Sequence, residues 1–303
     1  MTVAATYVAP QYTGNGSTTA FSNRLDPRYN AVNYVESSAN SNYNALQMEL
    51  QHRYAKGLSV NVAYTFAHSI DDNSDVLGVL VNDTPAQQNP KDNRNNRASS
   101  QFDLRHTFVV THTYELPWLK NAQNRLVRGA LGGWAFAGIS SYRTGFPVNI
   151  YAGSRLGLTD PVIDLGTGNA VDRPNVSGPI SNFKPEPSGS AGAPSGTITS
   201  NGGTISAYAN SLGLSQPLLG NFGSLGRNVL RLNGQLNFDW NMYKNFRFSE
   251  KVNLQLRGEF YNIFNAHAFQ SLASQSITSS SFGQYNAVSQ NARTGQVAVR
   301  IIF

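Results

Sequence analysis

Apolar and polar residues alternate with a period of two through much of the chain, which predicts strands whose two faces meet different surroundings. Between Asn44 and Tyr54, the side chains of Leu46, Met48, Leu50, His52 and Tyr54 share one face, and Gln47, Glu49, Gln51 and Arg53 share the other. Ala55-Lys56-Gly57 predicts a tight turn. Leu58, Val60, Val62, Tyr64 and Phe66 then oppose Ser59, Asn61, Ala63, Thr65 and Ala67. The pattern returns at Phe108, Val110, His112 and Tyr114, and again from Trp134 through Phe136 and Gly138 to about Thr144. It resumes at Leu232, Leu236, Phe238, Trp240 and Met242, pauses in a short turn around Asn245 to Lys251, and continues at Val252, Leu254, Leu256, Gly258 and Phe260. The last run places Val297, Val299, Ile301 and Phe303 on one face, and a weaker strand signal covers Tyr29 to Glu36.

Such strands suit either a soluble sandwich, whose apolar faces pack on each other, or a membrane barrel, whose apolar face meets lipid. Strand length favours the barrel: about ten residues rising ~3.3 Å each and tilted near 45° cover roughly 23 Å, close to a ~25 Å apolar band. Tyr54, Tyr114, Trp134, Tyr142, Trp240 and Tyr243 fall near predicted strand ends, where interfacial aromatic girdles form. The connections decide between the two. Ala55–Gly57 is short, Ile70–Ser100 long, Leu116–Gly133 intermediate, Gly145–Leu230 very long, Asn245–Lys251 short and Ala266–Ala292 long. Short periplasmic turns alternating with long outer loops are a rule of outer-membrane barrels, and a sandwich has no reason to obey it. The prediction is all-β: an antiparallel up-and-down transmembrane β-barrel segment of about eight strands with long outer loops. It divides into an irregular N-terminal segment over 1–28 and the barrel portion over 29–303.

Composition agrees. Charged residues are 13% of the chain, against roughly 25% in an ordinary soluble domain. The mean hydropathy is nevertheless -0.33, so the polarity comes from Asn, Gln, Ser, Thr and Gly. No apolar run approaches the ~18 residues of a transmembrane helix. The first residues lack a basic stretch followed by an apolar one, so for an exported protein the reading expects a mature or truncated product. Without cysteine there are no disulfides and no thiolate metal sites. The net charge of +6 suits a basic barrel beneath an anionic glycolipid surface, and no aromatic-basic motif points to nucleic acid.

Short motifs in a fixed order carry a family resemblance. They are Asn42-Tyr43-Asn44-Ala45-Leu46-Gln47; Tyr64-Thr65-Phe66 with Ser69-Ile70-Asp71-Asp72; Phe102-Asp103-Leu104-Arg105-His106; and Tyr114-Glu115-Leu116-Pro117. Further on come Gly132-Gly133-Trp134 with Thr144-Gly145-Phe146-Pro147, and Asp172-Arg173-Pro174-Asn175. Phe222-Gly223-Ser224-Leu225-Gly226-Arg227-Asn228 and Glu259-Phe260-Tyr261-Asn262-Ile263-Phe264-Asn265 complete the set. Together, over roughly residues 29 to 303, these resemble TonB-dependent receptors, especially the Oar-like subgroup with a carboxypeptidase-regulatory-like domain. The resemblance implies the C-terminal part of a barrel of roughly 22 strands, plugged by an N-terminal domain. This chain shows no plug and no TonB-interacting segment, so the reading expects a partial product with a missing plug and TonB partner. The terminal Val297, Val299, Ile301 and Phe303 resemble the signal read by the outer-membrane assembly machinery, with Ile301 where an aromatic is frequent.

Candidate chemistry is sparse. Asp71, Asn73 and Asp75 have the one-three-five spacing of a calcium loop, but Val76 and Asn82 replace the Gly and Glu it needs, so a solvated turn is expected. His106 and His112 share one side of a strand, His52 and His68 lie near strand ends, and packing roles are expected for all four. No Gly-x-Ser-x-Gly elbow is present, and Gly166-Thr-Gly168 is too isolated for a dinucleotide loop. No enzyme, cofactor or metal is therefore expected. Phe183 to Gly203 reads as mobile low-complexity sequence. Inward-facing Glu49, Arg53, Asp103, Arg105, Glu115, Asp239, Arg257, Glu259 and Arg300 are the candidates for a lumen-lining charge network, and the outer loops are the candidates for ligand contact. The expected setting is the outer membrane, with its lipid as partner and the ligand unspecified. Two alternatives stay open: a β-sandwich adhesin or glycan-binding module, and a complete small barrel pairing Tyr29–Glu36 with Arg293–Phe303.

Overall fold

A computed structural model describes residues 2–4, 12–13, 17–18, 33–35, 38–74, 88, 92–153, 172–200, 203–218, 222–247 and 252–303. Its framework is seven long strands: β1 (Ser41–Ala55), β2 (Leu58–Asp71), β3 (His106–Glu115), β4 (Trp134–Arg143), β5 (Gln235–Arg247), β6 (Asn253–Tyr261) and β7 (Thr294–Ile302). Each pairs antiparallel with the next, giving an up-and-down meander. A two-residue strand at Ala98–Ser99 beside the end of β2 brings the sheet to eight strands. The sheet does not close: among the described residues β1 and β7 each have a neighbour on one side. Asn33–Val35, inside the weak N-terminal signal, is a strand, but its partner is Thr2–Ala4 and not the C-terminal strand.

Register carries the period-two pattern across the sheet. Val60, His112, Gly138, Trp240 and Phe260 form one cross-strand row, and Leu58, Tyr114, Phe136, Met242, Gly258 and Val297 the next. Between them runs a row of opposite orientation: Ser59, Thr113, Ala137, Asn241, Glu259 and Gln296. One face is thus largely aliphatic and aromatic, and the other carries hydroxyls, amides and acids. The apolar face has no layer packed on it: Leu50 is 70% exposed and Val297 77%.

Two local expectations change. β5 continues to Arg247, two residues past Asn245, because Asn245 and Arg247 still pair with Gln255 and Asn253. A polar sequence there hides a ladder that needs only backbone. Trp240 lies in the middle of β5 and not at a girdle. It sits opposite Gly138, where a Cβ would come within 2.3 Å of the indole. The ring fills that space and meets Phe136 (5.2 Å), Phe264 (5.3 Å), His112 (6.0 Å) and Phe238 (6.0 Å) edge-on.

The compact core is outside the sheet, in the β4–β5 and β6–β7 loops at one end of the meander. Val148, Ile150, Ile205, Leu214, Ile277 and Phe282 belong to a single buried cluster. Two-residue strands knit the loops together: Pro147–Val148 with Leu230–Arg231, Asn175–Val176 with Leu214–Ser215, and Glu186–Pro187 parallel to Gln284–Tyr285. The Phe183–Gly203 stretch, expected as loose low-complexity sequence, is part of this unit. Phe183 packs on Phe282 (5.9 Å) and Tyr208 (6.1 Å), and Thr197–Ser200 pairs with Gly203–Ser206 in a hairpin. Its Gly, Ser and Pro residues serve tight turns between brief pairings, which a compositional reading cannot separate from disorder.

Burial pushes the Tyr285 phenol from its ordinary 10.0 up to about 12. The folded loops thus hold this proton more tightly than the unfolded chain does. Loop stability is complete below pH 10 and falls between pH 10 and about 12. Hydrogen exchange or tyrosinate absorbance against pH measures this, and Tyr285→Phe is expected to remove much of the dependence.

Candidate functional site

The polar face of the sheet carries a concavity of about 460 Å³ whose lining includes Ser59, Asn61, Thr111, Thr113, Ile139, Asp239, Asn241, Glu259 and Tyr261. Register and alternation place these side chains on one surface: Ser59, Thr113, Ala137, Asn241 and Glu259 form one cross-strand row, and the others stand two residues from a member of it. Two carboxylates are fixed there. Asp239 accepts from Asn237 Nδ2 (2.7 Å) and from the Asn262 amide (2.9 Å). Glu259 accepts from Arg257 Nη1 (3.0 Å), from the Tyr261 hydroxyl (3.0 Å) and from Gln296 Nε2. The surface therefore offers acceptors, hydroxyls and two acids to a polar solute. Toward the loop end, Arg143 donates to Gln270 (3.2 Å), Gln270 to Gln235 (3.3 Å) and Gln290 to Asn237 (3.0 Å), joining the polar face to the β6–β7 loop.

A second polar centre fastens the loops to the sheet. Arg227 donates to the Asp71 carboxylate, with side chains 4% and 3% exposed, and also to the backbone carbonyls of Asp71 (2.9 Å) and Asn96 (2.9 Å). Arg173 donates to Asn96 Oδ1 (2.9 Å) and to the Asn95 carbonyl (3.0 Å), and its amide to Gln88 Oε1 (2.9 Å). Gln88 in turn donates to the Gly223 carbonyl (3.0 Å). Asp103 accepts from the Ser69 amide (2.7 Å), Arg105 Nε (2.9 Å) and Arg231. Arg231 also donates to the Gly145 carbonyl (3.2 Å). Segments 71–74, 92–103, 172–175 and 222–231 thus meet in one buried charged latch.

The nine expected lumen charges separate into groups. Asp239, Arg257 and Glu259 lie together on the polar face, with Arg257 also over the Tyr243 ring at 5.8 Å. Glu115 closes β3 and pairs with Lys120 at 3.4 Å. Glu49 and Arg53 lie on the exposed edge strand β1, and Arg300 lies on the other edge strand opposite Gln255. Asp103 and Arg105 precede β3 and belong to the latch, where Arg105 also reaches His68 Nε2 (2.9 Å). Val297, Val299, Ile301 and Phe303 are all exposed, Phe303 just past the end of β7.

The solvated turn expected at Asp71 is corrected. Asp71 is 2% exposed and bound by Arg227 and by Ser74 Oγ (2.8 Å), while Asp72 is buried against the Asn40 amide (3.2 Å). Asp75 lies outside the described residues. Sequence reasoning missed Arg173, Arg227 and Arg231 as structural cations. The available signal was that few charges occur in loops dominated by Gly, Ser and Asn. Of the four histidines, His106 bonds with the Tyr64 hydroxyl (2.8 Å), His112 stands 5.1 Å from Phe136, His68 bonds with Arg105 (2.9 Å), and His52 is exposed on β1.

A family model described as an outer membrane beta barrel domain matches residues 3–296. The chain belongs to that family. No curated protein and no solved structure matches it. Membership in the outer membrane beta barrel family explains the uncovered aliphatic face as the lipid-facing surface, and the setting is the outer membrane. It also sets aside the sandwich alternative, which would bury that face under a second sheet.

Two measurements follow from this geometry. Removing one partner of a buried ion pair costs about 3–5 kcal/mol, so Arg227→Met is expected to release residues 92–103 and 222–231, seen as faster hydrogen exchange there while β3 to β5 stay protected. On β3, Val110→Arg places a cation against lipid at about 2–4 kcal/mol, whereas Thr111→Arg on the polar face costs far less. Urea unfolding from phospholipid vesicles compares the two, and equal costs would reverse the assignment of faces.

Proposed function

We propose that this chain is one wall of a larger receptor or transporter barrel of the TonB-dependent class, without enzymatic activity, its polar face lining the lumen and its folded loops contacting ligand outside. The observation that carries the reading is the open sheet. An unpaired strand edge in hydrocarbon leaves a row of N–H and C=O groups unsatisfied, at several kcal/mol each. Among the described residues both β1 and β7 present such an edge, which supports a wall completed by further strands. A complete small barrel would pair Tyr29–Glu36 with Arg293–Phe303, whereas Asn33–Val35 pairs with Thr2–Ala4.

The family resemblance supports the class. Four of its motifs, Asp71-Asp72, Asp103-Leu104-Arg105, Asp172-Arg173 and Gly226-Arg227-Asn228, meet in the latch although they are distant in sequence. In this reading the partners are outer-membrane lipid, the assembly machinery acting on Val297 to Phe303, and the plug and TonB protein of the parent receptor. Asp239, Glu259 and their neighbours then face the plug or a wetted lumen.

Because the chain has no cysteine, engineered pairs report edge closure cleanly. Glu49→Cys or Gln51→Cys is combined with Ala298→Cys or Arg300→Cys, and outer membranes are oxidised. The expected result is no disulfide within the chain, together with an immunoblot band well above 32.9 kDa for the native protein. An efficient internal disulfide at 32.9 kDa would overturn the larger-barrel reading.

A further inference from the structure

The β3–β4 connection, at the short-turn end of the sheet, carries exposed apolar side chains that neither the sheet nor the loops cover, beside Arg125, Arg128 and Lys120, the last paired with Glu115 at the end of β3. Its helix α1 (Arg125–Leu131) is seven residues long. Leu126, Val127, Ala130 and Leu131, spaced by one, four and five residues, share one side, and Arg125, Arg128 and Gly129 share the other. Leu126 is 82% exposed, Leu131 59%, and the preceding Trp118 70%. In water this would be a cost with no return, and a helix this short is marginal by itself.

Two bonds fix where the connection lies. Trp134 Nε1 donates to the Ala130 carbonyl at 3.2 Å, and Lys244 Nζ donates to the Gly132 carbonyl. Both Trp134 and Lys244 occupy positions on the lipid-facing side of β4 and β5, paired with each other in register. The C-terminal end of α1 is therefore drawn over the outer, lipid-facing surface and away from the polar face. Gly132 holds the fold tight: a Cβ there would stand 2.5 Å from the Leu119 carbonyl oxygen, so Leu119 and the helix end are in direct contact. Asn124 caps the start by accepting from the Leu126 amide (2.9 Å) and the Val127 amide (3.4 Å). The bonds hold this geometry while leaving the leucines uncovered.

We propose that the 118–131 segment is an interfacial anchor that lies in the periplasmic leaflet of the outer membrane, with Trp118, Leu126 and Leu131 in the acyl boundary and Lys120, Arg125 and Arg128 at anionic phospholipid headgroups. The occupant follows from continuity with the lipid-facing surface and from charge. An indole and leucines at headgroup depth with a basic opposite side are what an interfacial helix presents, and basic side chains near an anionic surface add attraction. The wide apolar face of the sheet is thereby extended sideways at its rim. This rests on outer-membrane family membership, not on the receptor reading.

The test uses the whole chain, free of cysteine, reconstituted in phosphatidylcholine vesicles with or without an equal share of phosphatidylglycerol. Nitroxide is attached at Leu126→Cys, Leu131→Cys or Gly129→Cys, and the last adds a side chain that meets nothing within 4 Å. Labels at 126 and 131 are expected to be several-fold more accessible to oxygen than to a water-soluble nickel chelate, relative to the label at 129. Phosphatidylglycerol is expected to deepen them, and Arg125→Gln with Arg128→Gln to abolish that response. Water-like accessibility at all three positions would overturn the anchor, and depth indifferent to lipid charge would overturn the role of the cations. Either failure leaves the edge-closure result untouched.

Discussion

In hydrocarbon, a strand can satisfy its backbone only through its neighbours, because no water reaches the N–H and C=O groups between them. That requirement organises this molecule. It demands long strands in antiparallel register, which β1 to β7 provide from Ser41 to Ile302, with one irregularity between His52 and Ala55 beside the β1–β2 turn. It also removes the usual reason for a sheet to bury a face. With lipid as solvent on one side, Leu50, Met242 and Val297 need no protein layer, and the residues opposite them are free to be polar. The same requirement makes the two edges left unpaired among the described residues the most consequential feature of the fold.

A sheet without a packed layer has no core of its own, and the compact hydrophobic cluster has moved to the loops. There, in water, burial of Ile150, Ile205, Ile277 and Phe282 is favourable in the ordinary way. Loops that fold on themselves must still be oriented on the wall. Aliphatic contact is poorly suited to this, since the rim between strands and loops is polar. The latch does it with arginines whose fork geometry satisfies several carbonyls and a carboxylate at once. Arg227 alone bridges Asp71 at the end of β2 and Asn96 in the next loop. A buried pair of this kind adds little net stability over a well-packed apolar substitute, but it is intolerant of misplacement. Its contribution is to orientation.

Strands and faces were legible because period-two alternation is a local property: Leu46, Met48 and Leu50 announce their face within five residues. Topology was legible because link lengths alternate. The loop core and latch were not, for a related reason. Asp71 and Arg227 are 156 residues apart, and nothing in the sequence around either announces the other. Low-complexity stretches hid a hairpin at Thr197–Ser206, since the residues that make tight turns also make disordered sequence. Trp240 was misplaced for a subtler reason. Aromatic type suggests an interface, but the space over Gly138 is a property of the neighbouring strand. Of the expected lumen charges, Asp239 and Glu259 share one surface while Asp103 and Arg105 serve the latch. Position parity alone could not separate them, because Asp103 and Arg105, just before β3, share the odd positions of Asp239 in β5 and Glu259 in β6.

The two ends of the wall solve opposite problems. At the loop end, long insertions stand in water and need an internal core, buried ion pairs and a protonated Tyr285 to hold a shape. At the short-turn end, little chain is available, seven helical residues cannot build a core, and apolar side chains are left facing outward. Water would penalise that arrangement and a lipid interface rewards it. Lys244 shows the transition: it sits on the lipid-facing side of β5, yet its ammonium is turned to the Gly132 carbonyl and lies 5.0 Å from the Phe246 ring centre. A lysine can occupy a lipid-facing strand only where its charge can reach a polar group at the membrane boundary. Its position therefore marks the depth at which hydrocarbon gives way to headgroups, and α1 lies at that same level.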